Sequence, residues 1–106
     1  MVCNSVIFIG RLTDDPVLRK SESGVSSVRF TLAVQRRTDK DTADFIPCMA
    51  FQKTAEIMSN YLNKGSRVAI EGHFQSGKYE RNDEIKYTLD CVVDSFQMLD
   101  SKKQDM

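Results

Sequence analysis

The sequence has no tryptophan, two prolines and a single histidine in 106 residues. Any broad aromatic surface must therefore be assembled from its six phenylalanines and three tyrosines. The lone His73 has no cysteine or second histidine at ligand spacing, which argues against a metal site. No nucleophile stands out beside it, and the carboxylates are scattered over loops and polar strand faces, with no pair placed for acid–base work. No enzymatic activity, metal or cofactor is expected. No apolar run approaches the roughly 20 residues of a membrane span. The N-terminus, Met1 to Ile9, lacks a basic flank and a small-residue cleavage site, so it reads as a strand and not as a signal peptide.

Three cysteines, Cys3, Cys48 and Cys91, are too few and too widely spaced for a disulfide framework. All three are flanked by strand-like sequence, which predicts buried free thiols in a reducing cytosol. Fifteen basic residues balance fifteen acidic ones, and a net charge of zero opposes strong non-specific polyanion binding. The distribution is uneven: basic residues outnumber acidic ones up to Tyr79, and acidic ones outnumber basic ones after it.

Val6 to Ile9 is a compact apolar run that stops at Gly10. Thr13-Asp14-Asp15-Pro16 and Ser21 to Gly24 carry turn chemistry. Val28, Phe30, Leu32 and Val34 alternate with polar or small residues, the cleanest period-two signal in the chain. Arg36 to Thr42 reads as a polar, flexible connection. Ala55, Met58 and Leu62, with Ile57 and Tyr61 beside them, recur at helical spacing and predict one short helix over roughly Thr54 to Leu62. Gly65 can close it in the left-handed conformation. Val68, Ile70, Gly72 and Phe74 alternate again, and so do Ile85, Tyr87, Leu89, Cys91 and Val93. Gly77 to Glu84 reads as a long polar hairpin tip, and Val92 hints at a bulge. Gly72 to Lys78 imitates the start of a phosphate-binding loop, but Tyr79 stands where Ser or Thr is needed and no helix follows.

Strand, strand, strand, helix, strand, strand is the order expected of an all-β, five-stranded Greek-key oligonucleotide-binding barrel, with one α-helix between strands 3 and 4. An open α+β sheet is the structural rival. Residues 1–100 are expected to form the domain, and residues 101–106 a short polar tail.

Ala43 to Phe51 would form the third strand. Alternation puts Phe45, Pro47, Met49 and Phe51 on one face and Asp44, Ile46, Cys48 and Ala50 on the other. Both faces are largely apolar, so the strand is either buried twice or carries an exposed platform. Pro47 cannot donate a ladder hydrogen bond, which predicts a bulge or an unpaired position there. Phe8, Phe30, Phe74, Tyr61, Tyr87 and Phe96 read as core or partly buried. Tyr79 sits by Lys78 and Arg81, a pattern suited to stacking on bases with phosphates nearby.

Five blocks in register resemble bacterial and phage single-stranded DNA-binding proteins: Asn4 to Pro16 with Leu18-Arg19, Phe30 to Val34, Ala50 to Glu56, Tyr61 to Ser66, and Val68 to Gly72. The resemblance implies sequence-independent binding and protection of single-stranded DNA in replication, recombination or repair. It implies stacking on Phe45, Phe51 and Tyr79, and phosphate contacts from Lys53 and Lys78, with Lys64 as a further position. Arg11, Arg36 and Arg37 are expected to track the phosphates as well. A fourth aromatic of the family pattern would fall at Thr38 and is absent; Arg36 and Arg37 stand close enough to compensate. The resemblance further implies a homo-oligomer, a tetramer built partly through the first strand, and a cytoplasmic, nucleoid-associated protein without membrane contact. The end of the chain lacks the acidic, hydrophobic tip of many bacterial members, so recruitment of repair enzymes by that route is not expected. Two alternatives are a tail-less primosomal-type accessory protein and a structural barrel that binds no nucleic acid.

Overall fold

The computed structural model describes residues 1–100; the tail expected over 101–106 lies outside the described residues. The elements run β1 (Val6–Leu12), β2 (Leu18–Lys20), β3 (Ser26–Arg36), β4 (Asp39–Phe51), α1 (Gln52–Tyr61), β5 (Arg67–Arg81) and β6 (Glu84–Met98). The alternation seen in the sequence fixes which faces turn inward. On β3, Ser26, Val28, Phe30 and Leu32 are buried, while Ser27, Arg29, Thr31 and Ala33 face outward. Fully buried Val28, Leu32, Met58, Val68 and Ile70 form the centre of the core, each contributing on the order of 1.5–3 kcal/mol of transfer free energy.

The five long strands pair in the order β1-β5-β6-β4-β3, and β1 returns to β3 through Arg11↔Ala33 and Leu12↔Leu32. The result is a closed barrel, with the helix between the third and fourth long strands as predicted. Closure brings backbones together at Gly10, where a Cβ would run into the Ala33 carbonyl. The Asn4 side chain ties the chain start to β5: its amide donates to the Phe74 carbonyl (2.7 Å) and its oxygen accepts from the Phe74 N–H (3.1 Å). Phe8 then meets Phe74 edge-on, ring centroids 6.2 Å apart.

Helix α1 packs Ala55 and Met58 into the core, followed by Leu62. It begins two residues earlier than its apolar spacing indicates, and Gln52 enters it with a left-handed backbone (φ 58°). Gly65 takes the left-handed conformation (φ 90°) but does not close the helix. Leu62 ends it in extended backbone, its N–H on the Met58 carbonyl, and Gly65 lies in the following Asn63–Ser66 turn with its N–H on the Leu12 carbonyl (2.8 Å).

Several expectations are corrected. Gly77 to Glu84 is not a long loop: β5 and β6 stay paired out to Arg81↔Glu84, and only Asn82 and Asp83 turn, with φ of 54° and 66°. Two consecutive positive φ values give the hairpin turn whose twist matches the strands. Arg36 to Thr42 is likewise strand-bound, with a tight turn at Arg37–Thr38; the register shifts after Gln35, and Lys40 to Thr42 are the unpaired surplus on β4. Asp39 fastens that surplus by accepting from the Asp41 N–H (3.0 Å) and the Thr42 hydroxyl (2.8 Å). The bulge lies at Asp94, where Glu71↔Ser95 is followed by Gly72↔Val93, and not at Val92. Pro47 pairs in register with Thr31 without a bulge. Its missing N–H is tolerated because an antiparallel strand directs alternate N–H groups away from a given partner, and the other neighbour, β6, pairs only with Cys48 and Met49. Asp44 lies within β4. Cys48 and Cys91 are buried, whereas Cys3 precedes β1 and is exposed. Tyr61 and Tyr87 are exposed rather than core.

Candidate nucleic-acid interface

The odd-numbered residues of β4 face away from the barrel. Phe45 is 64% exposed and Phe51 38%, with exposed Pro47 and half-buried Met49 between them. Six residues of extended strand separate the two rings by about 20 Å, room for several nucleotides. Ile46, Cys48 and Ala50 turn inward, so the two apolar faces of this stretch have different roles.

Residues directly opposite on neighbouring strands share a face, and the registers extend the Phe45–Phe51 surface into rows. Ala33 lies opposite Phe45, and Arg11 opposite Ala33. Ser27 lies opposite Phe51, and Arg19 opposite Ser27. Each phenylalanine thus shares a row with a small residue and, two strands away, an arginine. The small residues keep the sheet low between ring and cation, a shape that accepts a flat base with its phosphate to one side. A middle row runs Arg29, Met49, Val92, His73 across four strands. Arg29 donates to the Met49 sulfur (3.2 Å) and to Asp90 (3.0 Å), which holds it flat on the sheet. His73 Nδ1 lies 3.1 Å from Asp94.

Beyond His73, alternation along β5 puts Tyr79 on this same face, 49% exposed and opposite Lys86. Lys86 is paired with Glu84 at 3.1 Å. Lys78 does not join Tyr79. Neighbouring residues on a strand face opposite ways, so Lys78 turns to the other side of the ribbon, opposite Tyr87.

The remaining cations divide. Lys53 is exposed in the first turn of α1, one residue past the left-handed Gln52 that bends the chain sharply after Phe51. Arg37 is exposed in the β3–β4 turn. Arg36 is committed to Asp44 through Nη2 (2.6 Å) and Nε (3.1 Å). That hydrogen bond holds the Asp44 carboxyl below its ordinary range and raises the Arg36 guanidinium further. Arg11 donates to the Gly65 carbonyl (2.9 Å) and lies 3.7 Å from Asp100. Lys64 is exposed, and its backbone N–H is held by Asp15 at 2.7 Å.

An open groove of about 530 Å³ adjoins the Phe45 row. Arg11, Lys40 and Arg67 line it, with Asp41 as the single carboxylate. Sequence reasoning missed Arg19, Arg29, Lys40 and Arg67. Arg29 was legible, since the alternation of β3 turns it outward. Arg19 sits in a three-residue strand too short to show a period, and Arg67 and Lys40 come together only through barrel closure.

Among the described residues no group of three or more His, Cys, Asp or Glu side chains could hold a metal ion, and no helix is long and apolar enough to cross a membrane. Burial raises the Cys48 and Cys91 thiols above their ordinary range, which makes them inert at neutral pH.

Comparison with known proteins agrees with this geometry. A profile described as "Single-strand binding protein family" matches residues 3–99. A single-stranded DNA-binding protein of Clostridium perfringens (strain 13 / Type A) is 50% identical over 100 residues, covering 92% of this chain and 67% of the relative. Single-stranded DNA-binding protein 3 of Listeria innocua is 42% identical over 105 residues, covering 94% and 66%. Single-stranded DNA-binding protein 1 of Staphylococcus aureus (strain COL) is 41% identical over 104 residues, covering 93% and 62%. The chain therefore spans about two thirds of the length of the curated relatives it matches. With the match running from before β1 to the end of β6, the chain belongs to the single-strand binding protein family.

Proposed function

We propose that the chain binds single-stranded DNA without marked sequence preference and protects it during replication, recombination or repair, in the cytoplasm at the nucleoid. The observation that carries this reading is one continuous outer face. It holds Phe45, Phe51 and Tyr79 exposed, with Arg11 and Arg19 in the rows of the two phenylalanines. Bases stack on the three rings, a contact worth roughly 1–3 kcal/mol per base in single-strand binding proteins as a class. Arg11, Arg37 and Lys53 neutralise phosphates, joined by Arg19 and Arg67 and by Arg36 when Asp44 releases it. Lys78 acts from the far side of the ribbon. Duplex DNA binds poorly because its base faces are already stacked.

The active species is a homo-oligomer, a tetramer by family resemblance. What supports association is β1: it pairs with β3 only at Arg11 and Leu12, leaving Val6 to Gly10 with one unpaired edge. Ile7 and Ile9 stand exposed along it. An open apolar edge is a ready partner for a second strand.

The test is a salt-dependent anisotropy titration of fluorescent oligo-dT, with duplex DNA and RNA alongside and light scattering for the oligomer. Tight binding of oligo-dT that weakens with salt is expected, with the duplex far weaker. No anisotropy change at low salt refutes the proposal and leaves a structural barrel. Equal affinity for RNA and DNA of one sequence would reassign it to RNA work.

A further inference from the structure

The ribbon of β5 and β6 has two faces, and the interface above uses one. On the other, the register sets Ser76 opposite Leu89, Lys78 opposite Tyr87, and Glu80 opposite Ile85. Tyr87 is 77% exposed, the largest value among the exposed aromatics, and Ile85 and Leu89 are 55% exposed on either side of it. The ribbon has run past the barrel here, so these side chains have no core beneath them. The core of a protein–protein interface is depleted in charged residues. Here only β6 is apolar; β5 offers a serine, a lysine and a carboxylate. An exposed ring with a cation directly across from it, Cβ atoms about 5 Å apart, repeats on this face the Tyr79–Lys86 pair of the first. Lys86 is tied to Glu84, whereas Lys78 has no ion pair among the described residues, so its charge is open to a phosphate.

We propose that Tyr87, with Lys78 across from it, is a second stacking site for a nucleotide of single-stranded DNA, so that bound DNA engages the ribbon on both faces. This rests on the single-strand reading above and adds a site on the reverse of the ribbon. It also gives Lys78 a partner ring, which Tyr79 cannot be.

The absence of tryptophan makes the test direct. The variant Tyr61→Phe/Tyr79→Phe keeps both rings and leaves Tyr87 as the only tyrosine. Tyrosine emission falls when a base stacks on the ring. With binding followed independently by anisotropy of labelled oligo-dT, the emission of Tyr87 should fall in step with saturation. Tyr87→Leu in the parent chain should weaken binding of long oligo-dT by about 5- to 150-fold, as expected for loss of one stacked base. Saturated binding with unchanged Tyr87 emission overturns the proposal while sparing the single-strand reading. A change of oligomeric state in Tyr87→Leu, with emission already insensitive to DNA, overturns it in favour of a contact between copies. Absence of oligo-dT binding in the parent overturns both.

Discussion

Replacing Phe45 by alanine separates stacking from charge. Phe45 is 64% exposed, so only about a third of the ring is lost from the packed structure. A fully buried Phe→Ala change costs about 3–5 kcal/mol, which scales here to about 1–2 kcal/mol. A domain with 5–15 kcal/mol of stability stays folded after that loss. The effect on binding should be of similar size but of a different kind. Loss of one stacked base, about 1–3 kcal/mol, weakens binding by about 5- to 150-fold. No counterion is released by a phenyl ring, so the slope of log affinity against log salt should not change. Lys53→Ala should do the reverse, lowering the slope by about 0.7 for the phosphate that its ammonium is proposed to neutralise. The assay is oligo-dT anisotropy at four or more salt concentrations, with thermal melts to show that each variant is folded. Phe45→Leu, which keeps apolar area without a flat ring, should behave like Phe45→Ala. If Phe45→Ala binds within about twofold of the parent at every salt concentration, or changes the slope instead of the intercept, the stacking assignment is refuted.

Three further outcomes are expected. Asp44→Asn removes the carboxylate that holds Arg36, so oligo-dT should bind more tightly at low salt, with a slope steeper by about 0.7 if Arg36 then reaches a phosphate; an unchanged slope would mean that it does not. Gln52→Gly relieves the left-handed backbone at the start of α1. It should raise stability by about 0.5–1 kcal/mol, since the steric relief exceeds glycine's extra chain entropy; a lower melting temperature would contradict this. Under native conditions a thiol reagent should label Cys3 quickly and reach Cys48 and Cys91 only on unfolding. Their raised folded values mean that the unfolded chain ionises first. The stability they contribute is therefore complete below about pH 8.5 and lost as pH rises above it, which an alkaline series of melts on Cys48→Ala against the parent would detect.

Much of the barrel was legible because inward and outward residues alternate wherever one face is dry. The alternation of β3, β5 and β6 gave strands, and Ala55, Met58 and Leu62 gave the helix. Where neither face is dry, the signal disappears. Gly77 to Arg81 is strand on a ribbon wet on both sides, so its sequence is indistinguishable from a loop. The same limit explains Tyr87. Period two tells which face a residue takes, but not whether the barrel still lies beneath it that far along the strand. Tyr79 and Lys78 suggest one site because they are neighbours in sequence, although a strand sends neighbours apart. Phe45 and Phe51 share one exposed face because a single alternating strand joins them. Their arginine neighbours come from other strands, and only the register reveals them.

The closure of the barrel by β1 has a consequence for how the protein is made. β1 leaves the ribosome well before its main partner β5, with which it pairs Val6 to Gly72 and Arg11 to Arg67. Until β5 has emerged, an apolar strand holding Ile7, Phe8 and Ile9 waits with both edges unpaired. At about 5–20 residues per second of synthesis that wait lasts several seconds, long compared with hairpin formation in microseconds. During this interval β3 and β4 can already pair, being joined by a tight turn. The nascent chain then carries a formed half-sheet and a loose N-terminal strand that fits β5 of its own chain or of a neighbour on the same message. Strand exchange between chains translated side by side is therefore a hazard built into the order of the elements.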